Sequence, residues 1–113
     1  MATVNVYEQF FEADGSFNNR QRHGALVMMT ADSEEGNITY KAAVTFFPHD
    51  DEEDYAVSYD AYFESVMYQG KGRRSKKREH SLMAGLRPAV DRLAAENNAA
   101  VFWDRPLREE RRG

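Results

Sequence analysis

The stretch that decides the fold is "YAVSYDAYFESVMYQGKGRRSKKREHSLMAGLRPAVDRL", residues 55–93. Its hydrophobic period changes midway. Through residue 67 the apolar residues alternate: Tyr55, Val57, Tyr59, Ala61, Phe63 and Met67 share one face, with Ser58, Asp60 and Glu64 on the other. A period of two is that of a half-buried strand. Beyond residue 72 the apolar positions are Leu82, Leu86, Val90 and Leu93, spaced by 4, 4 and 3. That is the stripe of an amphipathic helix. A strand therefore runs into a helix across "GKGRRS". Sixteen residues from Tyr55 to Gly70 are long for one strand, and a bend or a tight turn near Glu64-Ser65 is expected to accommodate them.

The punctuation of the helical half fits this reading. Ser75 suits an N-cap, and Asn97-Asn98 suit a stop. Pro88 cannot donate to residue 84, and its ring crowds that carbonyl, so it must kink or split the helix. "AAVFWD" (99–104) follows as a short closing strand, and "RPLREERRG" (105–113) as a flexible charged tail.

Upstream, "ITYKAAVTFF" (38–47) places Ile38, Tyr40, Ala42, Val44 and Phe46 on one face. The apolar run "ALVMMTA" (25–31) precedes it. Between them, "DSEEGN" supplies turn chemistry, with Gly36-Asn37 able to take positive φ. These segments make a β-hairpin ended by Pro48. "TVNVYEQFF" (3–11) is a further strand, although Val4, Tyr7 and Phe11 also fit a helical period. "ADGSFNNRQRHG" (13–24) is a loop by its turn formers Asp14-Gly15 and Asn18-Asn19. The resulting fold class is α+β: a mostly antiparallel sheet of four or more strands, one main Pro-kinked helical region near the C-terminus, then a short terminal strand.

Composition bounds the function. The 113 residues form a single domain, 42% hydrophobic and 12% aromatic. A chain of this size buries about two thirds of its surface on folding. It has no cysteine, which excludes disulfides, a thiol nucleophile and cysteine-ligated metal and suits a cytoplasmic protein. The N-terminus lacks the basic and apolar regions of a signal peptide. No apolar run approaches the roughly 20 residues of a membrane helix.

The formal charge is −4, yet Lys71, Arg73, Arg74, Lys76, Lys77 and Arg78 crowd into eight positions. Without these six, nine basic residues face nineteen acidic ones, a net of −10. The acid gathers in "SEEGN" (33–37) and "HDDEED" (49–54). The chain is an acidic body with one basic patch. Lys76, Lys77 and Arg78 follow the N-cap, where the helix dipole is already positive, so each is unfavourable by about 0.3–1 kcal/mol at low salt. A bound anion reverses that sign. Backbone N–H groups and ammonium groups together suit phosphate. The six basic residues are therefore the candidate nucleic-acid-binding site. The competing account is a solvated basic face, or one paired with the chain's own acidic loops.

Gly70, Gly72, Ser75, Lys76 and Lys77 also carry a resemblance. "GKGRRSKKRE" resembles the loop and second-helix start of the double-stranded RNA-binding domain, with "ITYKAAV", "YAVSYDAYF" and "VMYQGKG" laid on its three strands, over residues 38–93 at most. The resemblance implies that Lys76 and Lys77 contact phosphates across the major groove of A-form RNA. The departures are Glu79, His80 and Leu82-Met83 where that family carries its alanine-rich helix start, an extra residue between Gly72 and Ser75, Pro88, the acidic loop 49–54, and no counterpart of the first helix before Ile38.

Other candidates are weaker. His49 with Asp50, Asp51, Glu52, Glu53 and Asp54 offers hard oxygen ligands, but lacks the glycine and alternation of an EF-hand, and a solvated loop is the simpler account. His23 and His80 lie far apart in sequence, and no serine sits in a nucleophile elbow. No catalytic residue, metal or cofactor is expected, and the chain is read as non-catalytic. Tyr55 and Tyr59 belong to the apolar face. Tyr62 and Tyr68 share the opposite one and suit a partner protein. Trp103 is a core or rim anchor. The expected function is a small binding module for structured nucleic acid. The alternative is a protein-interaction or inhibitor module using an exposed sheet face and the acidic loops.

Overall fold

The computed structural model describes residues 2–17, 20–48 and 61–107. Glu35 and Gly36 join its longest unbroken ladder, and both take positive φ, 51° and 79°. Strand β2 (Arg20–Glu34) enters this turn and β3 (Asn37–Pro48) leaves it. Asn37, expected to share the positive φ, pairs with Glu34 instead. Two consecutive positive φ values match the right-handed twist of the flanking strands.

β3 pairs on its other side with β4 (Ala61–Lys71), and β2 with β1 (Ala2–Phe17). After β4 come helices α1 (Lys76–Met83) and α2 (Leu86–Ala95), then β5 (Ala99–Pro106). β5 lies antiparallel beside β1. The sheet thus has five strands in the order β4-β3-β2-β1-β5, with every pairing antiparallel. The two helices carry the chain from one edge to the other. This is the α+β architecture read from the sequence, with the helical region divided in two.

Three local expectations change. The segment read as a loop, residues 13–24, is strand wherever it is described: 13–17 end β1 and 20–24 begin β2, and Ala13, Asp14 and Gly15 also pair with Val101, Ala100 and Ala99 of β5. Turn propensity loses here to hydrogen bonding on both sides of the strand. Arg105 and Pro106, assigned to the tail, complete β5, and the Leu107 N–H donates to the Phe10 carbonyl at 3.0 Å. The irregularity of β4 lies not at Glu64-Ser65 but at Met67. There Tyr40 pairs with Tyr68 and Lys41 with Val66, leaving one extra residue. That bulge reverses the alternation. Tyr62 therefore stays on the open face while Tyr68 turns to the helix face. The expectations on residues 49–60 and 108–113 lie outside the described residues.

The core fills one side of the sheet. Phe11, Val27, Met29, Val44, Phe46 and Val101 meet Leu86, Val90 and Ala94 of the helices. A smaller cluster of Ala31, Ile38 and Tyr40 continues it toward the end of β4. Among the described residues the opposite face carries no helix. It presents Phe10, Leu26, Met28 and Phe47, all half-buried, beside Tyr62 and Val66, which are 53% and 55% exposed.

The helix break follows from Gly85 and Pro88. Gly85 is the N-cap of α2, and Pro88 sits in its first turn, where the missing N–H has no intrahelical acceptor to lose. Asn97 and Asn98 end α2: Asn98 takes φ 60°, and the Asn97 side chain donates to the Leu93 carbonyl at 2.8 Å. Because the break is real, Pro88→Ala is expected to lower stability by about 0.5 kcal/mol, through the freer unfolded chain. A circular-dichroism melt should fall by about 2 °C. A rise would mean that the two helices prefer to be continuous.

Candidate functional site

The six basic residues lie on the turn from β4 into α1, and the structure divides them. Ser75 caps α1 as read from the sequence: its backbone is extended, and its Oγ accepts from the Arg78 N–H at 3.2 Å. Both glycines of the Gly-x-Gly pair have local reasons. The Tyr68 hydroxyl occupies the space a Gly70 side chain would need. Gly72 takes φ 117°, a region L side chains avoid. The Gly72 N–H donates to the Gly36 carbonyl at 2.8 Å, tying this turn to the β2–β3 turn.

Beneath it is a buried clasp. Glu79, on the inner face of α1, is 8% exposed. Arg74 grips it with two bonds, Nε to Oε2 at 2.8 Å and an Nη to Oε1 at 3.0 Å. The Tyr40 hydroxyl, fully buried, donates to Glu79 Oε2 at 2.8 Å and accepts from the Ser75 N–H at 3.2 Å. The paired bond from Arg74 holds the Glu79 carboxyl below its usual range, against burial, which acts the other way. Arg74 is pushed up by the same bond, and Tyr40 chiefly by burial. Paired, hydrogen-bonded charges of this kind fix a geometry more than they add net stability. Strand β3, the turn and α1 are locked in one arrangement.

Arg78 is also engaged, with its guanidinium 3.9 Å from the centre of the Tyr68 ring. Lys71, Arg73, Lys76 and Lys77 are exposed, and none forms an ion pair with a described residue. Of six candidates, then, one is structural, one is laid on an aromatic ring and four have no ion-pair partner among the described residues. Exposed Glu34 and Glu35 border the site on the neighbouring turn. The acidic residues 49–54 lie outside the described residues. Pro48 and Ala61, the residues flanking 49–60, are at the other end of the β3–β4 ladder from Lys71, about 33 Å away along β4.

A second feature had no signal in the sequence. A cleft of about 300 Å³ opens between β1, β5 and the junction of α1 with α2, lined by Tyr7, Gln9, Phe11, Leu86, Arg87 and Trp103. Trp103 is half-buried, as befits a rim anchor. Its ring meets Phe11 at 4.9 Å, and its Nε1–H donates to Asp91 at 2.8 Å. Burial pushes the Tyr7 hydroxyl up, and Arg87 opposes that shift. On the open face, burial followed by the Glu64 hydrogen bond pushes Tyr62 up to about 12.

His23 is buried and His80 exposed. Among the described residues no group of three or more His, Asp or Glu is placed to hold a metal ion, and no helix is long and apolar enough to cross a membrane. No family model matches the chain, and no curated protein or solved structure matches it significantly.

Proposed function

We propose that the chain is a small non-catalytic binding module that holds a polyanion, structured duplex nucleic acid, on the turn between β4 and α1. The observation that carries this reading is the pairing of four exposed cations, none ion-paired with a described residue, with a rigid base. Lys71, Arg73, Lys76 and Lys77 project from a segment held by Arg74, Glu79 and Tyr40. A rigid frame lowers the ordering cost of binding. Phosphate near the start of α1 also relieves the dipole conflict of Lys76 and Lys77. The likeness of Gly70, Gly72, Ser75, Lys76 and Lys77 to the double-stranded RNA-binding domain points to the same chemistry.

The test is the salt dependence of binding to a 20-base-pair RNA duplex. Converting Lys76 and Lys77 to glutamine should reduce the log–log slope by up to about two, one unit for each lost phosphate contact. The melting temperature should be unchanged or slightly higher, because both side chains extend into water. An unchanged slope removes these lysines from the interface.

A second reading rests on the open sheet face. Tyr62 and Val66 are more than half exposed there, beside half-buried Phe10, Met28 and Phe47. Exposed apolar area of this kind is what protein partners cover. It favours an interaction module that uses the sheet face, with no nucleic acid. Binding of the duplex through Lys76 and Lys77 distinguishes the two.

A further inference from the structure

We propose that the cleft between β1, β5 and the helix junction binds a small planar aromatic carboxylate. Its walls are aromatic: Tyr7 and Phe11 from β1 and Trp103 from β5, closed by Leu86 of α2. Flat apolar walls around a few polar groups are the usual composition of a small-molecule site. The volume, about 300 Å³, equals that of roughly ten waters at about 30 Å³ each. A ligand of about ten to fifteen heavy atoms fits that space.

The charge of the ligand follows from Arg87. Its guanidinium lies 4.9 Å from the centre of the Trp103 ring, at the edge of the cleft. The nearest carboxylate in sequence on α2, Asp91, is one helical turn away and would ordinarily pair with it. Asp91 instead accepts the indole N–H of Trp103, and Arg87 makes no ion pair with any described residue. A guanidinium held over an indole, with no ion-pair partner among the described residues, has N–H groups to spare, and its planar fork matches a carboxylate with two parallel bonds. Gln9 adds a donor. Its carbonyl oxygen accepts from the Tyr7 hydroxyl at 3.1 Å, which leaves its amide N–H groups for the ligand. One cation and one amide suit a single carboxylate. A phosphorylated sugar would ask for more donors than these walls supply. The site is separate from the basic turn: α1 spans Lys76 to Met83, and Met83 lines the cleft, so the two lie about a helix length, about 11 Å, apart.

Trp103 is the chain's single tryptophan, so its indole N–H resonance reports on this cleft alone. The probes are 2-naphthoate and its neutral isostere 2-naphthamide, each of thirteen heavy atoms, about the size the cleft takes. Titration of 2-naphthoate should shift the Trp103 resonance saturably, with Kd of about 1 mM or below for a ligand of this size. The amide should bind at least about tenfold more weakly, since it forfeits the charge-assisted pair. Arg87→Gln should weaken naphthoate by about tenfold and leave naphthamide unchanged, with the remaining resonances confirming the fold. Three results would overturn the proposal: no saturable shift up to about 10 mM, far above the affinity expected for this size; equal affinity for acid and amide; or an Arg87→Gln variant that binds naphthoate as the native chain does.

Discussion

Phe46→Ala is expected to lower stability by about 4 kcal/mol, or the melting temperature by about 15 °C. Phe47→Ala, its neighbour in sequence, should cost only about 1.5 kcal/mol. The two side chains lie on opposite faces of β3. Phe46 is fully buried beneath the helices and meets Phe63 at 6.2 Å between ring centres. It pairs across the strands with Ala25 and Ala61, so no large neighbour stands directly opposite to fill the space it leaves. Phe47 rests over Gly24 on the open face, edge-on to Phe10 at 5.8 Å. Phe47 is only half-buried, so its truncation removes less buried surface than that of Phe46. Urea or thermal melts of the two variants decide the matter. Equal losses would show that the open face is packed as tightly as the helix face.

Arg74→Ala should cost about 3 kcal/mol near pH 7, the second largest effect, and much of that loss should disappear near pH 4. The reason is an asymmetry in the clasp. Arg74 is nearly half exposed while the Glu79 carboxylate is almost wholly buried, so removing the arginine strands a buried charge. In the native chain the Glu79 carboxyl is held below its usual range. Its contribution is therefore present above the unfolded value, near 4.5, and is lost as pH falls through the folded one. In the variant the lowering influence of Arg74 is gone and burial raises the same carboxyl. Acid then neutralises the stranded charge, and the gap between the two melting temperatures narrows. A gap constant from about pH 7 to about pH 4 would mean that Glu79 is not the strained group. The contrast with Lys76 and Lys77 follows directly: their neutralisation leaves the melt in place.

The sheet was legible where the apolar alternation was unbroken and a turn signal stood at each end, as in β3 between Asn37 and Pro48. The cap at Ser75 and the interruption of the helix by Pro88 were legible because they depend on chemistry a few residues away; Gly85 as the second cap was not read. What failed depended on distant partners. Asp14-Gly15 carries the composition of a turn, and pairing on both sides, with β2 and with β5 more than eighty residues later, holds it straight. Tyr68 was placed on the wrong face because a one-residue bulge at Met67 leaves no trace in an alternating pattern.

Glu79 is the clearest case at the site. A glutamate in the first turns of a basic helix reads as solvated. Its burial follows from Tyr40, thirty-nine residues away, and from Arg74 folding back across the cap. The six basic residues were visible as a cluster, but their division into structural and free was not. The cleft at Trp103 gave no linear pattern, because its walls come from β1, the helix junction and β5.

That division yields the most direct measurement. A variant with Lys71, Arg73, Lys76 and Lys77 all changed to glutamine should melt as the native chain does, because none of the four has a described ion-pair partner. At about 50 mM salt it should bind a 20-base-pair RNA duplex at least 100-fold more weakly than the native chain, since each phosphate contact contributes about tenfold at that ionic strength. A native chain with no saturable binding to the duplex at that salt would contradict the account, and so would a variant that binds as well as the native protein.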